Sequence, residues 1–171
     1  MKNGNSNKKY AIFIVGERGS GKSTLIRSLT GYGKRLWRVK SLSNRDIWAF
    51  IIHQSPQELS MRKYPPEDFP NAFERQFRVN RDEYDLLISA LELRVRNPAF
   101  GYQQYVQSVE NQGFDVRLAI IETNWNGEVA DQNDITMIQH FARQNNIPFV
   151  LLNASNDPNE EASRIRQNLY P

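Results

Sequence analysis

Apolar, β-rich runs recur at residues 10 to 15, 35 to 41, 47 to 53, 84 to 91, 116 to 122 and 148 to 153, and most of the gaps between them carry apolar residues at helical spacing. This alternation predicts a three-layer α/β/α sandwich around a mainly parallel six-stranded sheet. Pro65-Pro66 opens a segment with Phe69, Ala72, Phe73 and Phe77 on one face, which predicts a helix over 66–79. Asn97-Pro98 starts another, with Tyr102, Tyr105, Val106 and Val109 in one stripe and Gly113 as its stop. Ile135, Ile138, Phe141 and Ala142 mark a helix over about 134–145, and Asp157 caps a last one that buries Ala162, Ile165 and Leu169. Only Leu42 to Asp46 separate the second run from the third, too few residues for a crossover helix, so these two strands are expected to form an antiparallel hairpin at the sheet edge.

Directly behind the first run stands Gly16-Glu17-Arg18-Gly19-Ser20-Gly21-Lys22-Ser23, and directly ahead lies the helix-like Thr24-Leu25-Ile26-Arg27-Ser28-Leu29. A G-x-x-x-x-G-K-[ST] octet between a buried strand and a helix is the pattern of a phosphate-binding loop, in which glycines let the chain curl around a polyphosphate and the helix start adds the positive end of its dipole. In that pattern Lys22 reaches the β- and γ-phosphates, Ser23 holds Mg²⁺, and Thr24 lies near the α-phosphate.

Composition narrows the classes. At 171 residues one domain is expected, residues 10–171 forming it and residues 1–9 a disordered polar tail. No run is long enough to span a membrane, and the absence of cysteine excludes disulfides and thiolate metal sites, which fits a cytoplasmic protein. With only His53 and His140, a histidine metal cluster is excluded too. The net charge of +3 is unevenly spread: residues 1–114 carry 18 Lys/Arg against 11 Asp/Glu, and residues 115–171 carry 4 against 8. The basic peak at Lys34, Arg35, Arg38, Lys40 and Arg45 suits an acidic protein partner or nucleic acid, or else a charged edge strand that resists aggregation.

A strand, a phosphate loop, a helix and then an antiparallel pair resemble the entry to a Ras-like P-loop NTPase. The third run ends Ile51-Ile52-His53-Gln54-Ser55-Pro56-Gln57-Glu58, similar to that family's hydrophobic-D-T-A-G-Q-E segment, with His53 in place of the magnesium-associated aspartate and Pro56 in place of the glycine. Proline has no N–H to offer a γ-phosphate. The resemblance gives Gln57 the role of orienting the attacking water. After the fifth run, Glu122-Thr123-Asn124-Trp125-Asn126-Gly127 stands where the family has N-K-x-D: Asn124 matches, and the guanine-reading carboxylate is missing. Trp125 either stacks on a base or packs on its own fold. Ile147 to Ser155 resembles the segment that backs the base, which gives Ala154 a base-facing amide. Thr30 to Lys34 leaves little room for a first switch, and Thr30 either reaches the metal or finishes the helix before Gly31. The family's sheet order puts the strand ending at His53 on one side of the phosphate-loop strand and the strand ending at Glu92 on the other.

P-loop hydrolases need a strand-end acid, and Glu92, Glu58 and Glu122 are the candidates, with Glu92 carrying a metal-associated role or leading as a solvated carboxylate into Arg94 and Arg96. His53 bonds a phosphate or a water, or is simply a satisfied polar residue. The expectation is therefore a divergent Ras-like P-loop protein that binds ATP or GTP with Mg²⁺ through residues 16–24, Asn124, Trp125 and Ala154, hydrolyses it slowly with Lys22, Gln57 and Glu92, and regulates a partner. A non-hydrolysing nucleotide-binding scaffold and a small-molecule or nucleotide kinase are the alternatives.

Overall fold

A computed structural model of the chain describes residues 8–31 and 35–171. In chain order the elements are β1 (Lys9–Gly16), α1 (Lys22–Thr30), β2 (Leu36–Lys40), β3 (Asp46–Ile52), α2 (Pro56–Leu59), α3 (Asn71–Phe77), β4 (Leu86–Glu92), α4 (Tyr102–Asn111), β5 (Phe114–Thr123), α5 (Gln132–Gln144), β6 (Phe149–Asn153) and α6 (Pro158–Leu169). They build the expected three layers. One face of the sheet is covered by α1 and α6 through Leu25, Ile26, Leu29, Ala162, Ile165 and Leu169, the other by α3, α4 and α5 through Phe73, Tyr105, Val106, Val109, Ile135 and Ile138.

The sheet order is β2-β3-β4-β1-β5-β6, parallel except for the β2–β3 hairpin. This corrects the expected neighbours of β1. The strand ending before His53 does not touch β1; β4 lies between them, and β5 takes the other side. The cause is legible in burial. All seven residues of β4 are buried, so it takes a position covered on both faces and both edges, whereas β3 begins with exposed Asp46 and Trp48 and suits a place nearer the rim. The consequence is a register that sets Glu92 opposite Gly16, at the mouth of the phosphate loop.

Local chemistry moved several boundaries. The helix expected over 66–79 is a 3-10 turn (Pro66–Asp68) followed by α3, because Pro70 forces Phe69 into an extended backbone (φ −89°, ψ 134°). Of the expected disordered tail, residues 1–7 lie outside the described residues, while Lys9 opens β1 and its Nζ donates to Arg81 O at 2.8 Å. Lys34 and the other residues between Gly31 and Arg35 also lie outside the described residues. Among the described residues no helix is long and apolar enough to cross a membrane.

Candidate functional site

The turn from β1 into α1 is shaped by its glycines. A Cβ on Gly16 would sit 2.5 Å from Ser20 Oγ and 3.1 Å from Ile121 Cβ, and Gly21, which starts α1, holds a φ of 101° that side chains rarely adopt. Gly19 is likewise at positive φ (73°), and Ser20 N–H donates to Glu17 O at 3.1 Å to close the loop. No side chain caps the start of α1, and its first turn contains no acid. The opening N–H groups of the helix therefore face a place suited to an anion, while Ser20 Oγ is buried against Gly16 without a partner. Glu17 and Arg18 lie on the outer side of the loop, Arg18 exposed.

A cavity of about 370 Å³ opens at this turn, lined by Gly19 to Leu25 on one side and by Glu58, Trp125, Ala154 and Pro158 on the other. Lys22 is buried at 4% exposure. Its Nζ donates to Gly16 O (3.1 Å) and Glu17 O (2.7 Å) and forms an ion pair with Glu92 Oε1 at 3.0 Å. Burial, together with a hydrogen bond to Glu58, pushes the Glu92 carboxyl up to about 7. Burial would raise Glu58 as well, but its bonds to Glu92 and Ser55 and the charge of Lys22 hold it below the usual carboxylate range. The two carboxyls thus shift in opposite directions beside the Lys22 ammonium, as expected when like charges meet in a buried place.

The acid candidates thus separate. Glu92 and Glu58 converge on Lys22, Glu58 alone of the three lining the cavity, and Glu122 lies on β5. Glu58 is brought there by a signal the resemblance obscured: Ser55-Pro56-Gln57-Glu58 is a capping box with proline at the first helical position, and Glu58 N–H donates to Ser55 Oγ at 3.1 Å while Ser55 N–H reaches the Glu58 carboxylate. Ser23 Oγ donates to His53 O at 3.1 Å. Burial and the nearby Arg35 and Arg27 lower the His53 pKa, so His53 stays neutral at pH 7 and cannot replace the family's aspartate by charge. Ser23 and Glu58 line the cavity with hard oxygen donors that fit Mg²⁺, but no cluster of three or more acids, histidines or cysteines forms a cation cage among the described residues. Such a metal needs the oxygens of a bound phosphate to complete its shell.

Other expected roles are altered. Gln57 faces away from the phosphate loop: its Oε1 accepts from Glu92 N–H at 3.0 Å and its Nε2 donates to Phe100 O at 3.1 Å, so both ends of the amide are committed to the scaffold. Thr30 finishes α1, its Oγ1 donating to Ile26 O at 2.7 Å ahead of Gly31. Asn124 Oδ1 accepts from Asn126 N–H and Glu128 N–H, both at 2.9 Å, and its Nδ2 donates to Glu128 at 2.8 Å. The Ala154 amide, expected to face the base, donates instead to Thr123 O at 2.8 Å; Ala154 contributes its methyl, 3.5 Å from where a Cβ on Gly21 would stand. Trp125 does not pack into its own fold. It is 62% exposed and stands over the cavity. At the basic edge, Arg38 is exposed beside Trp48, Lys40 pairs with Asp46 at 2.8 Å, and Arg35 stacks on Phe77.

No protein-family model matches the chain, and no curated protein matches it in sequence. Among solved structures the chain is similar to the G-domain of FeoB from Methanococcus jannaschii (14% identity, TM-score 0.47, covering 92% of this chain and 94% of that one). It is similar also to the protein APE1195 (13% identity, TM-score 0.47, covering 94% of each chain).

Proposed function

We propose that the chain binds a nucleoside triphosphate with Mg²⁺ in the manner of a P-loop protein and acts as a slow NTPase whose nucleotide state regulates a protein partner. One observation carries this: a glycine-shaped strand-to-helix turn presents an uncapped, acid-free helix start and a buried lysine to one cavity. These are anion-binding groups, and Lys22 is paired with the Glu92 carboxyl. An entering polyphosphate offers Lys22 a more highly charged partner, and the lysine exchanges Glu92 for the β- and γ-phosphates. Ser23, with Glu58 lining the same cavity, would hold Mg²⁺, which when bound neutralises charge on those phosphates. Glu92, with a pKa near neutrality, is then placed to handle a proton of the attacking water.

Slowness follows from Gln57 and Pro56. The glutamine is bound to the scaffold at both ends, and the proline has no N–H for the γ-phosphate. The same two facts support the second reading, a nucleotide-binding scaffold that does not hydrolyse. A kinase is disfavoured by Arg94, whose guanidinium is paired with Asp131 (3.2 Å) and Asp134 (2.6 Å) rather than poised over the loop. The partner surface in this reading is the basic β2–β3 edge, and the place of action is the cytoplasm. Single-turnover assays with excess protein decide between the first two: phosphate release over minutes to hours supports the NTPase, and none despite saturated binding leaves the scaffold.

A further inference from the structure

We infer that Trp125 holds the nucleobase by stacking and that the site does not read the base's hydrogen-bonding edge, so that the ligand class is nucleoside triphosphates without base preference. This rests on the phosphate-loop reading above and adds to it. Trp125 occupies the tip of a turn made rigid by Asn124, whose Oδ1 takes two backbone N–H bonds, whose N–H donates to Glu128 O at 2.9 Å and whose carbonyl receives Gly127 N–H at 3.0 Å. A bridge between Thr123 and Val129 closes its base. A large indole left 62% exposed on so constrained a turn gains nothing for folding, yet it is held ready over a cavity whose remaining wall at that end is Leu25, Ala154 and Pro158.

The polar groups nearest that end are turned to the fold and do not line the cavity. Asn124 bonds within its own turn, the Ala154 N–H donates to Thr123 O, the Ser155 N–H to Asn153 Oδ1 at 3.0 Å, and Asp157 Oδ1 accepts from Asn159 N–H at 2.8 Å in the cap of α6. The lining beside Trp125 is Leu25, Ala154 and Pro158, so the base meets a flat aromatic face and aliphatic groups. Every base has a π-face, so stacking holds all of them.

The test titrates wild type, Trp125→Ala and Trp125→Phe with MgATP, MgGTP and inorganic tripolyphosphate. Wild type is expected to bind both nucleotides within about tenfold of each other and about tenfold or more tighter than tripolyphosphate, the advantage that one stacked base supplies. Trp125→Ala should erase that advantage for ATP and GTP alike and leave tripolyphosphate binding unchanged, and Trp125→Phe should keep most of it. Tripolyphosphate binding with no nucleotide advantage, a loss confined to one base, or unchanged nucleotide affinity in Trp125→Ala overturns the inference while sparing the phosphate loop. Failure of all three ligands to bind overturns both.

Discussion

The two ends of the nucleotide cavity differ in what they leave unsatisfied. At the phosphate end, the start of α1 lacks a side-chain cap, Ser20 Oγ is buried without a partner, and Lys22 is neutralised by a carboxyl pair that a phosphate can displace. At the base end, Asn124, Ala154, Ser155 and Asp157 have each bonded within the fold, and Trp125 stands open over the cavity. Unspent polar groups mark where recognition happens, because a buried donor without a partner is costly until a ligand arrives. The difference teaches that affinity here belongs to the polyphosphate and that the base adds an undirected increment.

The largest effect should break the phosphate end alone. Lys22→Ala is expected to weaken triphosphate binding by about a hundredfold or more, since it removes the charge aimed at the β- and γ-phosphates. The fold should survive, because the Glu92 carboxyl, pushed up by burial, can take up a proton when Lys22 is gone and need not remain a bare buried anion. Fluorescent-triphosphate titration and a thermal melt read the two outcomes. Next comes Glu92→Gln, which should slow single-turnover hydrolysis about tenfold or more while changing triphosphate affinity less, as expected for a group acting in the chemical step.

Gln57→Leu sharpens the contrast from the scaffold side. It should alter single-turnover hydrolysis by less than about tenfold. It should cost about 1 to 3 kcal/mol of stability in a denaturant titration, because the buried Glu92 N–H loses its acceptor. A tenfold loss of hydrolysis with unchanged stability would return Gln57 to the water-orienting role. The smallest effect concerns pH. A carboxyl raised in the fold contributes stability present below its ordinary value of 4.5 and lost as pH rises through about 7. Glu58, held low, acts in the opposite sense and only at more acidic pH. Melting curves from pH 5 to 8 should therefore decline more in wild type than in Glu92→Gln.

Much of this was legible in the sequence. Gly16 to Ser23 announces the phosphate loop by residue type and flanking pattern, and the stripe Tyr102, Tyr105, Val106 and Val109 is buried as its spacing requires. Strand order was not legible, since it depends on which strand is most fully buried, and local pattern does not rank β4 above β3. The contacts of Gln57 were not legible for a related reason. The family resemblance supplied a role by position, whereas the capping box at Ser55 turns α2 so that the glutamine meets Glu92 and Phe100 and the glutamate meets the cavity. For Asn124 and Ala154 the residue types matched a binding role, but the bonds they make inside the fold are visible only in three dimensions.

The central claim, that the ligand is anchored by its phosphates and not by its base, is tested most directly by displacing a bound fluorescent triphosphate from wild-type protein in the presence of Mg²⁺. Inorganic tripolyphosphate should displace it, and adenosine and guanosine at the same concentrations should not. Displacement by guanosine as effective as by tripolyphosphate would contradict the account.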